Sequence, residues 1–202
     1  MRPPIFFGSP DSSLTSVVVF WVVFYAWIGT ELFLASRRRH LPAGATNYDS
    51  GSKWWVIGSV WASVAIGIWV ARLVPSTAIT SGRIGVFVLG LVLMIAGMVL
   101  RWYSIRVLGT SFTCEVSTRP SQEVIQAGPY RWIRHPSYTG GLVTVLGVLV
   151  CCLNWLSFAA LAVTLLGYSY RIRIEERALS RDLGPAYRDY MRRTKRLIPF
   201  LV

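Results

Sequence analysis

The sequence has only three cysteines in 202 residues, Cys114, Cys151 and Cys152, and none stands at a metal-ligand spacing. Neither a disulfide framework nor a zinc site is implied, and the adjacent pair, inside an apolar stretch, reads as packing. No repeat recurs at a period of about 20–50 residues and no low-complexity tract interrupts the chain, which excludes solenoids and strings of linked modules. Acidic residues are scarce, nine against 21 lysines and arginines, for a formal net charge of +12. In a soluble protein that excess would point to nucleic acid. The chain also lacks the polar content of a soluble domain, since 53% of it is hydrophobic and it holds nine tryptophans. It is too apolar for an ordinary soluble domain and too short for two.

Five stretches, 14–36, 54–74, 84–107, 137–153 and 155–174, approach the roughly 20 apolar residues needed to cross a bilayer core of about 30 Å. The expectation is an all-α, multi-pass integral membrane protein with about five transmembrane helices, a single membrane domain over 1–202 with three spans in 1–108. The basic residues follow membrane sidedness. Arg37, Arg38, Arg39 and Lys53 lie between the first two spans, Arg106, Arg119, Arg131 and Arg134 between the third and fourth, and nine more run from Arg171 to Arg196. Only Arg2, Arg72 and Arg83 fall on the other side, with Arg101 left inside the third span. The positive-inside rule then places the amino terminus outside and the tail in the cytoplasm. Nucleic acid is not the expected partner; membrane lipids are. The first stretch is preceded by Asp11 and followed by Arg37-Arg38-Arg39, the reverse of a secretory signal's charge order, and reads as a retained span.

Polar groups inside such a chain are costly and therefore informative. Glu31, toward the end of the first span, is one candidate, with snorkelling beside Arg37–Arg39 as the plainer alternative. The run Gly128-Pro129-Tyr130-Arg131-Trp132-Ile133-Arg134-His135-Pro136-Ser137-Tyr138 closes a polar loop and opens the fourth span. Pro136 suits a first helical turn, which puts His135 at a helix amino terminus. Asn154 marks a tight turn into the fifth helix, and no breaker follows until Gly184-Pro185. At 1.5 Å per residue that helix extends about 40 Å and brings Glu175 and Glu176 back to the level of His135.

At these residues the chain resembles the isoprenylcysteine carboxyl methyltransferase family and the related membrane phospholipid methyltransferases. The resemblance rests on Gly128-Pro129-Tyr130, on Arg134-His135-Pro136-Ser137-Tyr138 with Gly140, on Glu175-Glu176 with Leu179, and on Gly184, Tyr187, Tyr190 and Pro199-Phe200. It covers 109–202, a methyltransferase-like catalytic region, whereas the amino-terminal spans share only hydrophobicity. It implies a cytoplasmic C-terminal pocket for S-adenosyl-L-methionine, a lipid tail entering sideways between helices, and a lipidated or lipid-like acceptor. The resemblance, with the residue types present, gives Arg134, Arg173 and Glu176 as candidate catalytic residues. The candidate cofactor set is Gln122, Gly128, Tyr130, His135, Pro136, Tyr138, Glu175, Tyr187, Tyr190 and Arg196. Gln122 is a departure, since many relatives carry a histidine six residues before the Gly-Pro-Tyr turn.

The residue types suit a sulfonium nucleoside: a carboxylate for the ribose diol, an arginine for its carboxylate, and aromatic walls for adenine. Alternatives stay open. Glu175 and Glu176 could pair with Arg171, Arg173 or Arg177 at helical spacing; Tyr187 and Tyr190 could form an interfacial belt; Gly140, Gly141 and Gly147 could serve packing or leave a groove for a lipid chain. Beside methylation of a prenylcysteine carboxylate stand methylation of a phospholipid amine, an NADPH-dependent sterol-type reductase, and a non-catalytic lipid-binding protein.

Overall fold

A computed structural model describes residues 14–36, 46–49, 51–109, 112, 117–118 and 123–199. Among these residues six α-helices follow in order: α1 (Leu14–Ser36), α2 (Ser52–Leu73), α3 (Arg83–Leu108), α4 (Pro136–Cys151), α5 (Leu161–Asp182) and α6 (Gly184–Arg193). The linker after α1 contributes β1 (Thr46–Asn47), which pairs antiparallel with β2 (Ser117–Thr118) from the loop after α3. This two-stranded ribbon is the one departure among the described residues from the all-α expectation. Cys114 and Gln122 lie outside the described residues.

The first three helices are apolar all round, and Val18, Val22, Leu32, Trp69, Ile84, Val92 and Val99 are exposed on them. A helix in water would keep one polar face; these suit lipid. Among the described residues three helices, α1, α2 and α3, are long and apolar enough to cross a membrane. At 16 residues α4 is apolar but shorter, and α5 is apolar only before Arg171. The chain is a multi-pass helical membrane protein, in which three of the five stretches read from the sequence form long apolar helices and the last two are shorter or turn polar.

The tightest packing is between α3 and α4, where glycines seven residues apart on each helix oppose one another. A Cβ at Gly97 would lie 2.5 Å from the Gly140 carbonyl oxygen, and one at Gly140 would lie 2.6 Å from that of Gly97. One turn pair away, a Cβ at Gly147 would lie 2.6 Å from both Gly90 O and Met94 N. These obstacles are backbone, so they cannot turn aside. Gly140 and Gly147 therefore serve helix packing, as small residues do in membrane bundles, and Gly141 faces the Tyr168 ring. Around this seam lies a core of Phe20, Phe24, Val64, Met94, Val148 and Leu149. Cys151 is part of it, and Cys152 is buried beside it, both as packing residues.

The two ends of the bundle differ. At the far end Leu153 adopts a φ of 51° and turns the chain directly from α4 toward α5. Asn154, 1% exposed, accepts from the N–H groups of Leu156 (3.0 Å) and Ser157 (3.3 Å) and donates to Val74 O (2.9 Å). That one side chain caps the short 3-10 turn Leu156–Ala160 before α5 and joins it to the α2–α3 connection. The other end gathers the ribbon, the turn before α4, the end of α5, α6 and the tail.

Because the α3–α4 contact is backbone against backbone, Gly97→Leu or Gly140→Leu should lower stability in detergent by at least the roughly 1–3 kcal/mol of ordinary overpacking. Gly58→Ala, where an added Cβ meets nothing within 4 Å, should change it little. Thermal unfolding of the three variants checks this; equal melting temperatures would show that the seam tolerates separation.

Candidate functional site

Gly128 has a φ of +57°, a conformation that favours glycine, and Pro129 presets the 3-10 turn Gly128–Arg131 that follows. A Cβ at Gly128 would also crowd Tyr103 Oη and Val107 Cγ2, both at 3.1 Å. The turn buries Tyr130 and leaves Arg131 and Trp132 exposed. Next the chain runs beside the tail: Ile133 bridges Lys195 in parallel, Arg134 N–H donates to Lys195 O (2.7 Å) and His135 N–H to Arg196 O (3.0 Å). Pro136 is fully buried as the first residue of α4. Thr139 Oγ1 donates to Leu197 O (2.7 Å), and Tyr190 Oη donates to Tyr130 O (2.6 Å). The tail and α6 are thus tied to the turn that opens α4.

At the centre lies Glu176, with its side chain 5% exposed. Its Oε1 accepts from Arg134 Nε (2.8 Å) and lies 3.4 Å from His135 Nε2. Its Oε2 accepts from Arg196 Nε (3.0 Å) and Nη2 (2.9 Å). Arg134 further donates through Nη1 to Met191 O (3.0 Å) and to Thr194 O. Burial opposes the charge on Glu176, but hydrogen bonds from His135, Arg196 and Arg134 outweigh it and hold the carboxyl down at about 2. The carboxylate therefore joins three segments: the turn, α5 and the tail.

Glu175, one residue earlier, meets a different environment. Its Oε2 accepts from Tyr138 Oη (3.0 Å) and lies 3.9 Å from His135 Nδ1, and its side chain is 31% exposed. Tyr187 and Tyr190 are buried with their rings 5.9 Å apart. Both are packed inside the protein, so they form no interfacial belt. Burial, reinforced by Glu175 and Glu176, pushes the Tyr187 hydroxyl well above the usual phenol range, so it remains a protonated donor.

Of the residues expected from sequence, Arg134, His135, Pro136, Tyr138, Glu175, Glu176, Tyr187, Tyr190 and Arg196 come together, with Gly128 and Tyr130 forming the adjoining turn. Arg173 is exposed on α5 and makes no ion pair among the described residues. Neither glutamate pairs with Arg171, Arg173 or Arg177, so the solvated-face alternative does not hold. Two polar clusters were not foreseen. Glu31 takes Arg101 in a two-pronged ion pair, Nε–Oε1 2.6 Å and Nη2–Oε2 2.9 Å, while Arg101 Nη1 reaches Ser137 Oγ (3.0 Å); Arg37, Arg38 and Arg39, the alternative partners, lie outside the described residues. The signal was available, as one acid and one base each inside an apolar span. The second joins Asp49, Ser52 and Arg171, and nothing in the spacing of those residues pointed to it.

Residues 88–181 match the model of the isoprenylcysteine carboxyl methyltransferase (ICMT) family. A probable protein-S-isoprenylcysteine O-methyltransferase of Oryza sativa subsp. indica is 34% identical over 115 residues, 55% of this chain and 60% of that protein. The protein-S-isoprenylcysteine O-methyltransferase of Saccharomyces cerevisiae is 33% identical over 117 residues, 56% of this chain and 49% of that protein. The matches thus span about half to three-fifths of these relatives' length. A solved structure, that of the eukaryotic intramembrane Ras methyltransferase ICMT, superposes with a TM-score of 0.55 at 28% identity, covering 75% of this chain and 53% of that one. The resemblance read from the sequence holds, but with other bounds: the family match begins within α3, earlier than residue 109, and ends at 181, so Gly184, Tyr187, Tyr190 and Pro199-Phe200 lie beyond it.

Glu176→Gln leaves Arg134 buried against a neutral amide and should cost about 3–5 kcal/mol at neutral pH. The folded-state value near 2 lies below the ordinary value of 4.5, so this stabilisation is complete above about pH 4.5 and fades as pH falls toward 2. Unfolding in detergent across that range should show wild type and variant converging at low pH; equal stability at pH 7 would contradict the clamp.

Proposed function

We propose that this chain, which resembles the isoprenylcysteine carboxyl methyltransferase family across residues 88–181, is an S-adenosylmethionine-dependent methyltransferase acting on a prenylcysteine carboxylate or similar lipid-like acceptor. One observation carries the reading beyond the resemblance: of two adjacent glutamates, Glu176 is fully paired and buried while Glu175 keeps a carboxylate edge partly exposed. A frame residue and a ligand residue stand side by side.

The donor set fits the cofactor. Glu175, steadied by Tyr138, suits a ribose diol, and Arg196, with its side chain 45% exposed, suits the amino-acid carboxylate. Tyr130 and Tyr187 supply aromatic wall, Gly128 and Pro136 shape the turn, and Gln122 joins the set by its place before that turn. When bound, S-adenosylmethionine supplies a methyl group on a sulfonium centre. An acceptor α-carboxyl, with a pKa of about 3.5, is already ionised and needs no general base. The protein's part is orientation and exclusion of water. Arg173 is the group proposed to orient the acceptor carboxylate. Arg134 and Glu176, engaged with each other, take a positioning role in place of direct contact with substrate. The basic residues Arg106, Arg131 and Arg188 lie at the same end as the site, with Arg72 and Arg83 at the opposite end, which supports a cytoplasmic site and an outside amino terminus.

S-adenosylhomocysteine should raise the melting temperature of the detergent-solubilised protein and NADPH should not; stabilisation by NADPH alone would replace the methyltransferase reading with the reductase one. Labelled methyl transferred to farnesylated cysteine should be base-labile, as an ester is. Base-stable label on an aminophospholipid would instead assign an N-methyltransferase. Glu175→Ala should weaken S-adenosylhomocysteine binding about tenfold, or about 1.4 kcal/mol, whereas Arg192→Ala, on the exposed face of α6, should leave it within about twofold.

A further inference from the structure

The cluster of Asp49, Ser52 and Arg171 has no part in the reading above, yet it touches the same carboxylate through one intermediate. Asp49 belongs to the linker between α1 and α2, outside the residues matched to the family, and its side chain is 1% exposed. Arg171 Nη1 lies 2.8 Å from Asp49 Oδ2 and 2.5 Å from Ser52 Oγ, and Ser52 in turn donates to Asp49 Oδ1 at 2.6 Å. On its other edge Arg171 Nε donates to Tyr138 Oη (3.4 Å), the hydroxyl that donates to Glu175. Burial opposes the Asp49 charge, but hydrogen bonds from Ser52 and Arg171 hold its carboxyl below the ordinary range, so it is a lasting counter-charge.

The sequence spacing makes this arrangement consequential. Arg171 and Glu175 are four residues apart on α5, the separation at which opposite charges on a helix meet. Left to the helix alone, the guanidinium would close on Glu175 and occupy the carboxylate assigned to the ligand. The structure instead has it on Asp49 and Ser52. The linker holds it there through β1, paired to β2, and through Tyr48 Oη, which donates to Asp182 at 3.0 Å near the end of α5.

Resting on the proposed cofactor site, we infer that Asp49 is a positioning residue: it holds Arg171 away from Glu175 and so keeps that carboxylate open to the cofactor. Asp49 acts only through Arg171, and this dependence separates it from a residue that merely supports the fold.

The test is S-adenosylhomocysteine binding by calorimetry to full-length protein in detergent, alongside melting temperature. Wild type must bind; if it does not, the cofactor reading falls and this inference with it. Given wild-type binding, Asp49→Asn should raise the Kd about tenfold as Arg171 swings to Glu175, and Asp49→Glu should restore most of it. Adding Arg171→Met to Asp49→Asn removes the competing cation and should bring the Kd back to within about threefold of wild type, although a contact has been lost. Asp49→Asn binding like wild type, or the double variant binding no better than Asp49→Asn, would overturn the inference while leaving the cofactor site intact. Should Asp49→Asn alone not fold, the double variant is compared with wild type directly: a Kd within threefold supports the inference and a tenfold loss overturns it.

Discussion

A carboxylate buried at the end of a membrane bundle has to be met by cations and hydrogen-bond donors, and Glu176 is met by two arginines and a histidine ring nitrogen. Arg134 and His135 come from the turn before α4 and Arg196 from the tail. A lone carboxylate at that depth would be expelled or neutralised; with three partners it becomes the point where distant segments converge. The Arg134 and His135 N–H groups add backbone bonds to Lys195 and Arg196, so the same residues join the tail twice. Remove the carboxylate and the turn, α5 and the tail lose their common reference.

The division between the two glutamates follows from this. Residues adjacent on a helix point about 100° apart, so when Glu176 faces the turn and tail, Glu175 is directed to their margin. There it meets Tyr138 and the edge of His135 and remains accessible. The α3–α4 glycine seam contributes at a distance: close approach of those helices fixes α4, whose first turn carries Pro136 and Tyr138. The Arg101–Glu31 pair steadies the same turn through Ser137. On the α5 side, the linker carboxylate Asp49 governs where Arg171 lies.

Much of this was legible in the sequence because membrane helices restrict what polar residues can do. The lone Asn154 between two apolar stretches marked the far turn, and the structure has it capping that turn. Gly184-Pro185 marked the end of α5, where Gly184 adopts a φ of +59° and α6 begins. Helical spacing also let Glu175 and Glu176 be carried to the level of His135. What spacing could not give was the choice among nearby cations. Arg171, Arg173 and Arg177 are neighbours of the glutamates along the helix, yet Glu176 pairs with Arg134 and Arg196, which only tertiary folding brings close. Asp49 was invisible for the same reason, as an acid in a linker whose partner lies far along the chain. Hydropathy alone did not separate the three long apolar helices from α4, which is apolar but short, or from α5, which turns polar midway.

Glu176 builds the frame, and Glu175 is the carboxylate proposed to meet the cofactor. An experimental structure with S-adenosylhomocysteine bound tests it most directly. Ligand oxygens should lie within hydrogen-bond distance of Glu175, with Glu176 still held by Arg134, His135 and Arg196. A ligand bound to Glu176, with Arg134 or Arg196 released from it, would contradict the account.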